Sequence, residues 1–417
     1  MTSRVAGQRS VIILLFVITI INYLDRSSIS YAMPLIKNLF GLSTGQTGLI
    51  LGAFGIGYIL TSLIGGFFVD LFGAKRSFLV IVLLWSLAIG WTGASIGFAM
   101  MFASRILLGL AEGPSFPAIT NAIGHQTGSL TSASRLSGAL VAVPLSLALG
   151  GPLVSLILVY FDWRLIFFLL ALTTLLWLPL WLFVLQRTKA DLPPMEAAHL
   201  FSGKMVKTVL TNKTLVANYC AYFLFGYLLF FYMTWLPTYL QSTYHIKIES
   251  VGLLTVLPWL VAAGAMVLVG LWSDAIIKKT QSFRQARTYL IVGSQFISAV
   301  SILPILYFES LAVALTCITI SVAAIISANS VYYAVVTDIA PQYPGTAMGM
   351  MTLVFAVAGF IAPSITGEIV QKTGSFSSAF LLMSGLTALS IIIMLALHHP
   401  DRDRPEGAAS SDSRTNQ

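Results

Sequence analysis

Long apolar segments recur along almost the whole chain, and each has about the length that a helix needs to cross a bilayer. A hydrocarbon core of about 30 Å takes roughly 20 residues of α-helix, and lipid admits only spans that satisfy their own backbone polar groups. Hydropathy therefore predicts an all-α membrane protein with twelve transmembrane spans, at 11–36, 46–70, 77–98, 100–123, 133–160, 165–186, 214–241, 249–274, 288–308, 310–335, 344–370 and 376–397.

The scarcity of charged residues excludes the soluble alternatives. Only 9% of the 417 residues are charged, whereas soluble proteins carry about 25%. A soluble fold could not cover its surface with so few charges, so we exclude a cytosolic enzyme, a secreted disulfide scaffold and a nucleic-acid-binding domain. The two cysteines, Cys220 and Cys317, lie in apolar runs and predict neither a disulfide framework nor a metal cluster.

Lys and Arg residues fall mainly on one side of these spans. An even number of spans puts both termini on that side, and cytoplasmic loops retain Lys and Arg. Of the 23 Lys and Arg residues, Arg26 and Arg105 lie deep inside spans and most of the others lie on the side of the termini, which we therefore expect to be cytoplasmic. The opposite side holds only Lys37, Arg164, Lys247 and Lys372.

The longest polar connection, 187–213, lies between the sixth and seventh spans. It contains Pro193-Pro194 and mixed charge, so we interpret it as a cytoplasmic linker. It separates a predicted N-terminal six-helix bundle, 1–186, from a C-terminal one, 214–400. The polar residues 401–417 predict a disordered cytoplasmic tail, and the His398-His399 pair before it is expected to be solvated.

A short motif occurs at equivalent places in the two halves. Gly66-Phe-Phe-Val-Asp70 precedes Lys75-Arg76, and Gly270-Leu-Trp-Ser-Asp274 precedes Lys278-Lys279. Each copy reads Gly-x3-Asp followed by a basic pair, and each lies between the second and third span of its half. Internal repeats of this kind are typical of secondary transporters.

Several further short motifs follow one another along the chain. They are Asn22-Tyr23-Leu24-Asp25-Arg26, Arg105-Ile-Leu-Leu-Gly109-Leu-Ala-Glu112-Gly113-Pro114-Ser-Phe-Pro117, Asp162-Trp163-Arg164-x-x-Phe167, Thr234-Trp235-Leu-Pro237-Thr-Tyr239-Leu, Asp338-Ile-Ala-Pro341 and Ala362-Pro363-x3-Gly367. With the repeated motif, they make the chain resemble, over nearly its whole length, the major facilitator superfamily of secondary transporters. In this order they more narrowly resemble the anion:cation symporter branch, which includes bacterial sugar-acid transporters and vertebrate sialin-type carriers. The resemblance implies two pseudo-symmetric bundles of six helices.

Four ionisable residues lie deep in predicted spans: Asp25, Arg26, Arg105 and Glu112. Each costs about 2.5–3.5 kcal/mol at a helix centre on insertion scales, so these residues need partners and a function. Arg105 and Glu112 are seven residues apart and therefore share one helix face. A buried Arg is a fixed positive site suited to a carboxylate, and a buried carboxylate beside it can change protonation state as the Arg moves or binds substrate.

Two interpretations of these four charges remain open. In the first, the two carboxylates and two guanidiniums couple anion uptake to protons. In the second, they are static ion pairs that hold the first and fourth spans together. We favour coupling, because static pairs can be replaced by apolar packing at little cost. By resemblance to the family, Asp25 and Glu112 match protonation sites. Arg26 and Arg105 match arginines linked to substrate or coupling, and we expect Arg105 to bind the substrate carboxylate.

The resemblance also assigns expected roles outside this group. Tyr23 and Tyr58 in the N-terminal half, and Tyr333 opposite them, match substrate-cavity positions. Asp70, Arg76 and Asp274 belong to the repeated motif and are expected to form a gate at the cytoplasmic end. Asp338, near a span end, is interpreted as interfacial.

Selectivity positions depart from the sugar-acid pattern. Val143 stands where those carriers usually have Gln, and Thr352 and Ala356 stand where they have Asn. The lost amides would have bonded substrate hydroxyls, so we expect an organic anion less hydroxylated than a hexonate.

Several chemistries lack a motif in this sequence. There is no Gly-x4-Gly-Lys-Ser/Thr phosphate loop, so ATP does not drive the protein. No spacing of His and Cys predicts a metal, and no cofactor, nucleic acid or enzymatic activity is expected. The short external loop, 37–45, favours a bacterial inner membrane over a vesicular one, and we expect a monomer.

The leading hypothesis is a proton-coupled symporter that imports a small organic anion. One alternative is an exporter of a drug, siderophore or amino acid, because Gly150-Gly151-Pro152 loosely resembles an antiporter motif. Another is a membrane sensor that binds a ligand without moving it, but linker and tail leave no room for an output domain.

Overall fold

A computed structural model describes the backbone of residues 2–116, 118–119, 133–188, 209–342 and 344–405. Within these ranges, the side chains of residues 2–9, 63, 66, 67, 70, 74, 139 and 186–188 lie outside the description. The described residues are helical almost throughout, and we number the transmembrane spans 1 to 12 in chain order.

The six N-terminal spans begin with one long helix and a long bent one. Span 1 is Thr2–Phe40, and spans 2 and 3 are the two arms of Thr44–Gly93. Span 4 is Phe98–Glu112, with helical residues beyond it at 115–116 and 118–119. Span 5 joins Ala133–Leu140 to Ala142–Tyr160, and span 6 is Trp163–Thr188.

The six C-terminal spans include three that are built from consecutive helical pieces. Span 7 is Lys213–Tyr244, and span 8 joins Ile248–Leu254 to Val256–Thr280. Span 9 runs from the π-turn Arg284–Thr288 through Tyr289–Ser301 to the 3₁₀ turn Leu303–Leu306. Span 10 joins Leu311–Ser327 to Asn329–Ile339, span 11 is Pro344–Thr373, and span 12 is Ser377–Leu397.

Gly73 separates spans 2 and 3. Its φ of 72° and ψ of 159° lie in a region that glycine adopts readily and other residues avoid. The chain therefore turns at this point without leaving helical structure for long, and Lys75 and Arg76 stand at the start of span 3.

The outer surface of the helices is apolar, as a lipid-facing surface must be. On span 6, Leu172, Leu176 and Leu180 recur every four residues and are all exposed, which places them on one helix face. Ten of the described helices are long and apolar enough to cross a membrane. The other two spans are span 2, which shares a bent helix with span 3, and span 4. The predicted fold of twelve membrane helices is therefore confirmed.

Close helix contacts join the two halves along two seams. In the first, spans 2 and 11 meet at Gly48, where a Cβ atom would lie 2.7 Å from the Pro363 carbonyl oxygen and 3.0 Å from the Gly367 Cα. In the second, spans 5 and 8 meet at Gly151 and Gly252, where a Cβ on either residue would be 2.6 Å from the other's carbonyl oxygen. The glycines of the Gly150-Gly151-Pro152 run thus have a packing role.

The chain after span 12 differs from the sequence expectation. Pro400–Asp403 forms a short helix, although this segment opens the predicted disordered tail. The Asp401 carboxylate accepts hydrogen bonds from the N–H groups of Phe283 and Arg284 at 2.6 and 3.0 Å. These are unpaired donors at the start of span 9, and a carboxylate is their usual cap. Residues 406–417 of the predicted tail lie outside the described residues.

His398 is buried rather than solvated, because the turn before Pro400 folds it against span 9. Its side chain is 0% exposed, and its Nδ1 lies 2.7 Å from the Thr288 hydroxyl oxygen. Burial and the neighbouring His399 lower the pKa of His398 to about 3. This imidazole is therefore neutral at physiological pH.

Candidate functional site

Asp25 and Arg26 are adjacent in span 1 but face different neighbours. Successive helical residues are turned by about 100°, so the two side chains leave the helix toward different spans. Arg26 points to spans 2 and 4, whereas Asp25 points to spans 3 and 6, where Trp85 and Thr174 face it. The structure therefore does not make a pair of these two neighbours.

The buried ion pair of the site joins Arg26 to Glu112. The Nε–H of Arg26 donates to Oε2 of Glu112 at 2.7 Å, and the two residues are 3% and 0% exposed. Charge-assisted hydrogen bonds of this length are among the stronger polar contacts in proteins. The pair links spans 1 and 4 through their side chains.

Aromatic rings surround the Arg26 guanidinium. Its central carbon lies 4.9 Å from the ring centre of Tyr23, 4.5 Å from that of Phe54 and 4.9 Å from that of Tyr58. Ring faces attract cations at these distances, and more strongly where water is excluded. Phe54 is also 5.7 Å from the guanidinium carbon of Arg105, so one ring lies between the two buried arginines.

Two glycines bring this cage together. A Cβ atom at Gly57 would collide with the backbone of Ile106, and one at Gly109 would collide with the backbone of Phe54. Spans 2 and 4 can therefore approach closely only because both positions lack a side chain. The approach sets Phe54 and Tyr58 of span 2 opposite Arg105 and Glu112 of span 4.

Several donors and acceptors of the site have no hydrogen-bond partner among the described residues. Among them, Nε of Arg105, Oε1 of Glu112 and Nδ2 of Asn22 are buried without a partner. Asn22 faces Glu112 but does not complete a hydrogen bond. Buried polar groups are nearly always paired, so the unpaired Nε–H of Arg105 is suited to an anionic acceptor.

Two tyrosines of the C-terminal half close the other side of this region. The Tyr222 hydroxyl donates to the Tyr333 hydroxyl at 3.0 Å, and the Tyr333 ring lies 5.5 Å from the ring of Phe116 in the N-terminal half. Tyr23 and Tyr58 are close enough to interact electrostatically with Tyr333. The structure thus groups Tyr23, Tyr58 and Tyr333 with Arg26, Arg105 and Glu112.

Asp274 of the repeated motif bridges the two halves near the end that carries the linker. Its two oxygens accept hydrogen bonds from the N–H groups of Ala133 and Ser134 at 3.1 and 2.9 Å. These are the first residues of span 5, where unpaired N–H groups and the helix dipole favour a negative charge. Oδ1 of Asp274 also lies 3.7 Å from Nη1 of Arg287.

For Asp70 and Arg76, the other two predicted gate residues, the structure gives no contact with the described residues of the C-terminal half. The side chain of Asp70 lies outside the described residues. Arg76 is exposed and lines a surface groove with Lys75, Phe72, Leu79 and Leu182. Its contact with the C-terminal half thus stays a prediction.

Sequence reasoning missed two features of these sites. Hydropathy puts Arg287 just before the span predicted at 288–308, among the charges on the side of the termini, yet it is 2% exposed and its Nε donates to Asp338 at 2.9 Å. The same contact makes Asp338 part of a buried network rather than an interfacial residue. Phe54 was not singled out, although its spacing of four from Tyr58 was a usable signal for a shared helix face.

The remaining expectations concern selectivity and metals. Val143 and Ala356 are buried and apolar, and the Thr352 hydroxyl donates to its own helix at the Met348 carbonyl, 3.0 Å away. Among the described residues, no group of three or more His, Cys, Asp or Glu residues could hold a metal ion.

Comparisons with known proteins agree with this architecture. A family model described as Major Facilitator Superfamily matches residues 15–363. The chain is 34% identical over 410 residues to the hexuronate transporter of Bacillus subtilis (strain 168), covering 96% of this chain and 97% of that protein. It is 29% identical to the probable sulfoacetate transporter SauU of Cupriavidus necator, covering 97% and 99%. It is 27% identical to the probable galactarate/D-glucarate transporter GudP of Bacillus subtilis (strain 168), covering 94% and 91%.

Solved structures give the same answer for the fold. A bacterial homologue of the human lysosomal transporter Spinster, in an inward-facing and unoccupied conformation, superposes with a TM-score of 0.73. The match covers 96% of this chain and 99% of that one at 14% sequence identity. The predicted pair of six-helix bundles is therefore confirmed at the level of fold.

Proposed function

Since this chain belongs to the major facilitator superfamily of transporters, we propose that it imports a small organic anion together with protons. It is a multi-pass membrane protein and a transporter rather than an enzyme. The anion site that we propose lies between the two halves, with Arg105 and Arg26 on one side and Tyr333 on the other.

The observation that carries the proposal is the unequal pairing of the two buried arginines. Arg26 is neutralised by Glu112, whereas Nε of Arg105 lacks a partner among the described residues. A buried guanidinium that keeps a free donor is suited to a carboxylate or sulfonate, because its fork offers parallel hydrogen bonds. The anion would supply the charge that the site lacks.

The relatives support an anionic cargo. Proteins similar to this chain are named for hexuronate, sulfoacetate and galactarate or glucarate, all of which carry at least one acidic group. The apolar positions Val143 and Ala356 and the self-satisfied Thr352 offer few donors to substrate hydroxyls. We therefore favour a small carboxylate or sulfonate that is less hydroxylated than a hexonate.

Proton coupling follows from competition for Arg26. When Glu112 is ionised it holds Arg26, and when it is protonated it no longer neutralises that guanidinium. A proton on Glu112 would thus release a positive site at the moment when the anion arrives, and loss of the proton would restore the pair and favour release of the anion. Asp25, which is also buried in span 1, is the second candidate proton carrier.

The expected orientation gives transport a direction. Lys and Arg concentrate on the side of the linker, and this charge bias supports a cytoplasmic location of that side. An inward proton gradient across a bacterial inner membrane would then drive anion import. Asp70, Arg76 and Asp274 would stabilise the closed cytoplasmic end while the site opens outward.

The experiment that tests cargo is counterflow with purified protein in proteoliposomes. Glucuronate, glucarate and sulfoacetate are the probes, and glucose is the neutral control. We expect exchange of at least one anion, sulfoacetate before glucarate, and none of glucose. No exchange of any anion, together with exchange of amines or neutral drugs, would overturn the proposal in favour of an exporter.

A further inference from the structure

Three buried polar side chains from spans 1, 3 and 6 meet inside the N-terminal half with unmet hydrogen bonds. Asp25, Trp85 and Thr174 are all essentially inaccessible to solvent. Trp85 and Thr174 are the hydrogen-bond donors that face the Asp25 carboxylate, yet neither completes a bond. Both oxygens of Asp25, Nε1 of Trp85 and Oγ1 of Thr174 therefore have no partner within the described part of the chain.

Neighbouring donors on span 6 do have hydrogen-bond partners. Thr173, the neighbour of Thr174, donates to the Leu169 carbonyl of its own helix at 2.8 Å, as helical threonines commonly do. Trp177, one turn along the same helix, donates to the Leu14 carbonyl at 3.0 Å. Thr174 and Trp85 take neither option. Their free donors and the free oxygens of Asp25 point to one another.

The charges around Asp25 are distributed unevenly. Glu112 and Arg105, both on span 4, are the charged groups that interact with it, whereas spans 3 and 6 present only the neutral donors Trp85 and Thr174. An ionised carboxylate accepts hydrogen bonds more strongly than a neutral acid does. Two neutral donors therefore favour the ionised form without supplying a permanent counter-charge, so the proton can return.

We propose that Trp85 and Thr174 are positioning residues for the coupling proton of Asp25. Small side-chain rotations let the indole N–H and the threonine hydroxyl donate to the carboxylate when it is ionised, and the contacts loosen when the carboxylate takes up a proton. The inference rests on the proposed function, in which Asp25 carries a proton. It further gives the Asp25 proton its own donors on spans 3 and 6, which are not part of the proposed anion site.

Infrared difference titration of the full-length protein in lipid nanodiscs tests this arrangement without any substrate. The carboxylic acid band that disappears in Asp25→Asn identifies the residue. In Trp85→Phe and in Thr174→Val, which keep ring packing and side-chain shape, we expect the midpoint of that band to move upward by about one pH unit, since each change removes one hydrogen bond to the charged form.

Matched variants separate donation from packing. Trp181→Phe replaces another fully buried tryptophan of the same half, and Thr173→Val removes the neighbouring hydroxyl, and neither should move the midpoint. If Trp85→Phe does not fold, the nearly isosteric Thr174→Val carries the test.

Three results would overturn the inference, and they differ in whether Asp25 is still a proton carrier. An unchanged midpoint in the folded donor variants removes the donor role but leaves Asp25 as a proton carrier. An equal shift in the control variants assigns the effect to packing. An Asp25 band that never titrates between pH 4 and 9 contradicts both this inference and the proton role of Asp25.

Discussion

Arg26 and Arg105 carry the same charge in the same buried region, but they differ in how far their surroundings satisfy their hydrogen-bond donors. Arg26 has an ionic partner in Glu112 and three aromatic rings around it. Arg105 lies over one ring, that of Phe54, and keeps an Nε–H without a partner among the described residues. The residue with unmet capacity is the one that a ligand can satisfy, which makes Arg105 the expected anchor of the anion.

Arg105→Lys should lower anion affinity by about tenfold or more, because an ammonium keeps the charge but cannot form two parallel hydrogen bonds. Binding is measured by the thermal shift of the purified protein with the anion that counterflow identifies. Arg164→Lys, in the first turn of span 6 and half-exposed, is the matched control and should bind normally. Ordinary affinity in Arg105→Lys would reduce Arg105 to a point charge.

His398 gives the protein a pH-dependent stability. The pKa of His398 is lowered to about 3 by burial, while an unfolded histidine titrates near 6.5. Between these values the unfolded chain binds the extra proton, so the free energy of unfolding falls as pH falls. The loss should be about 1.4 kcal/mol per pH unit below 6.5, continuing toward pH 3.

The measurement is the unfolding temperature in detergent at pH 7 and pH 5. His398→Gln should lose less stability over that interval than the natural protein, by about 2 kcal/mol. His245→Asn is the control, because His245 is exposed and Asn tolerates its left-handed backbone. Equal pH sensitivity in His398→Gln and the natural chain would contradict a neutral buried His398.

At the scale of elements, the seams between the halves are of two kinds. The contact of spans 2 and 11 depends on backbone meeting backbone at Gly48 and Gly367, so it is set by shape. Spans 5 and 8 also meet backbone to backbone at Gly151 and Gly252, but near the linker their contact includes the Asp274 carboxylate at the first turn of span 5. A polar latch of this kind can open without exposing a large apolar surface, which suits a gate.

Asp274→Ala should unlatch the start of span 5. The N–H groups of Ala133 and Ser134 would lose their acceptor, and a hydrogen bond to a charged group contributes about 1.5–3 kcal/mol. Hydrogen exchange of the peptide that covers 133–140 should accelerate about tenfold or more. Asp162→Ala, an exposed carboxylate on a loop, should leave that peptide unchanged, and unaltered exchange in Asp274→Ala would remove its latch role.

The whole molecule was largely predictable from sequence at the level of spans. In lipid each segment must satisfy its own backbone, so length and hydropathy determine where helices lie. The positions of Arg26, Arg105 and Glu112 in one group also follow, because rare intramembrane charges must find each other.

Other features depended on packing that no single segment encodes. Helical geometry predicts that the side chains of Asp25 and Arg26 point in different directions. Which helices they contact depends on how spans 3, 4 and 6 pack around span 1. Arg287 and His398 are placed near span ends by hydropathy, and only the folded chain shows that neighbouring helix ends cover them. For Phe54 the spacing of four from Tyr58 indicates a shared helix face, but a phenylalanine in an apolar span does not by itself indicate a contact with two arginines.

The orientation of the molecule can be checked directly. Cysteines introduced at 37–45 or 244–248 should react with an impermeant thiol reagent applied to intact cells, because these loops lie opposite the basic side. Cysteines at 187–213 should react only after the cells are opened. The reverse labelling would invert the topology and, with it, the proposed direction of transport.

The central claim is that Glu112 and Asp25 carry protons that move with the anion. The most direct measurement compares pH-driven accumulation with counterflow in proteoliposomes that contain Glu112→Gln, Asp25→Asn or both. Glu112→Gln keeps an oxygen that can accept from Arg26 but cannot titrate, and Glu368→Gln, on an exposed surface pair with Lys372, is its matched control. The account predicts that Glu112→Gln retains counterflow and loses accumulation, while Glu368→Gln keeps both. Accumulation that persists in both single variants and in the double variant would contradict it.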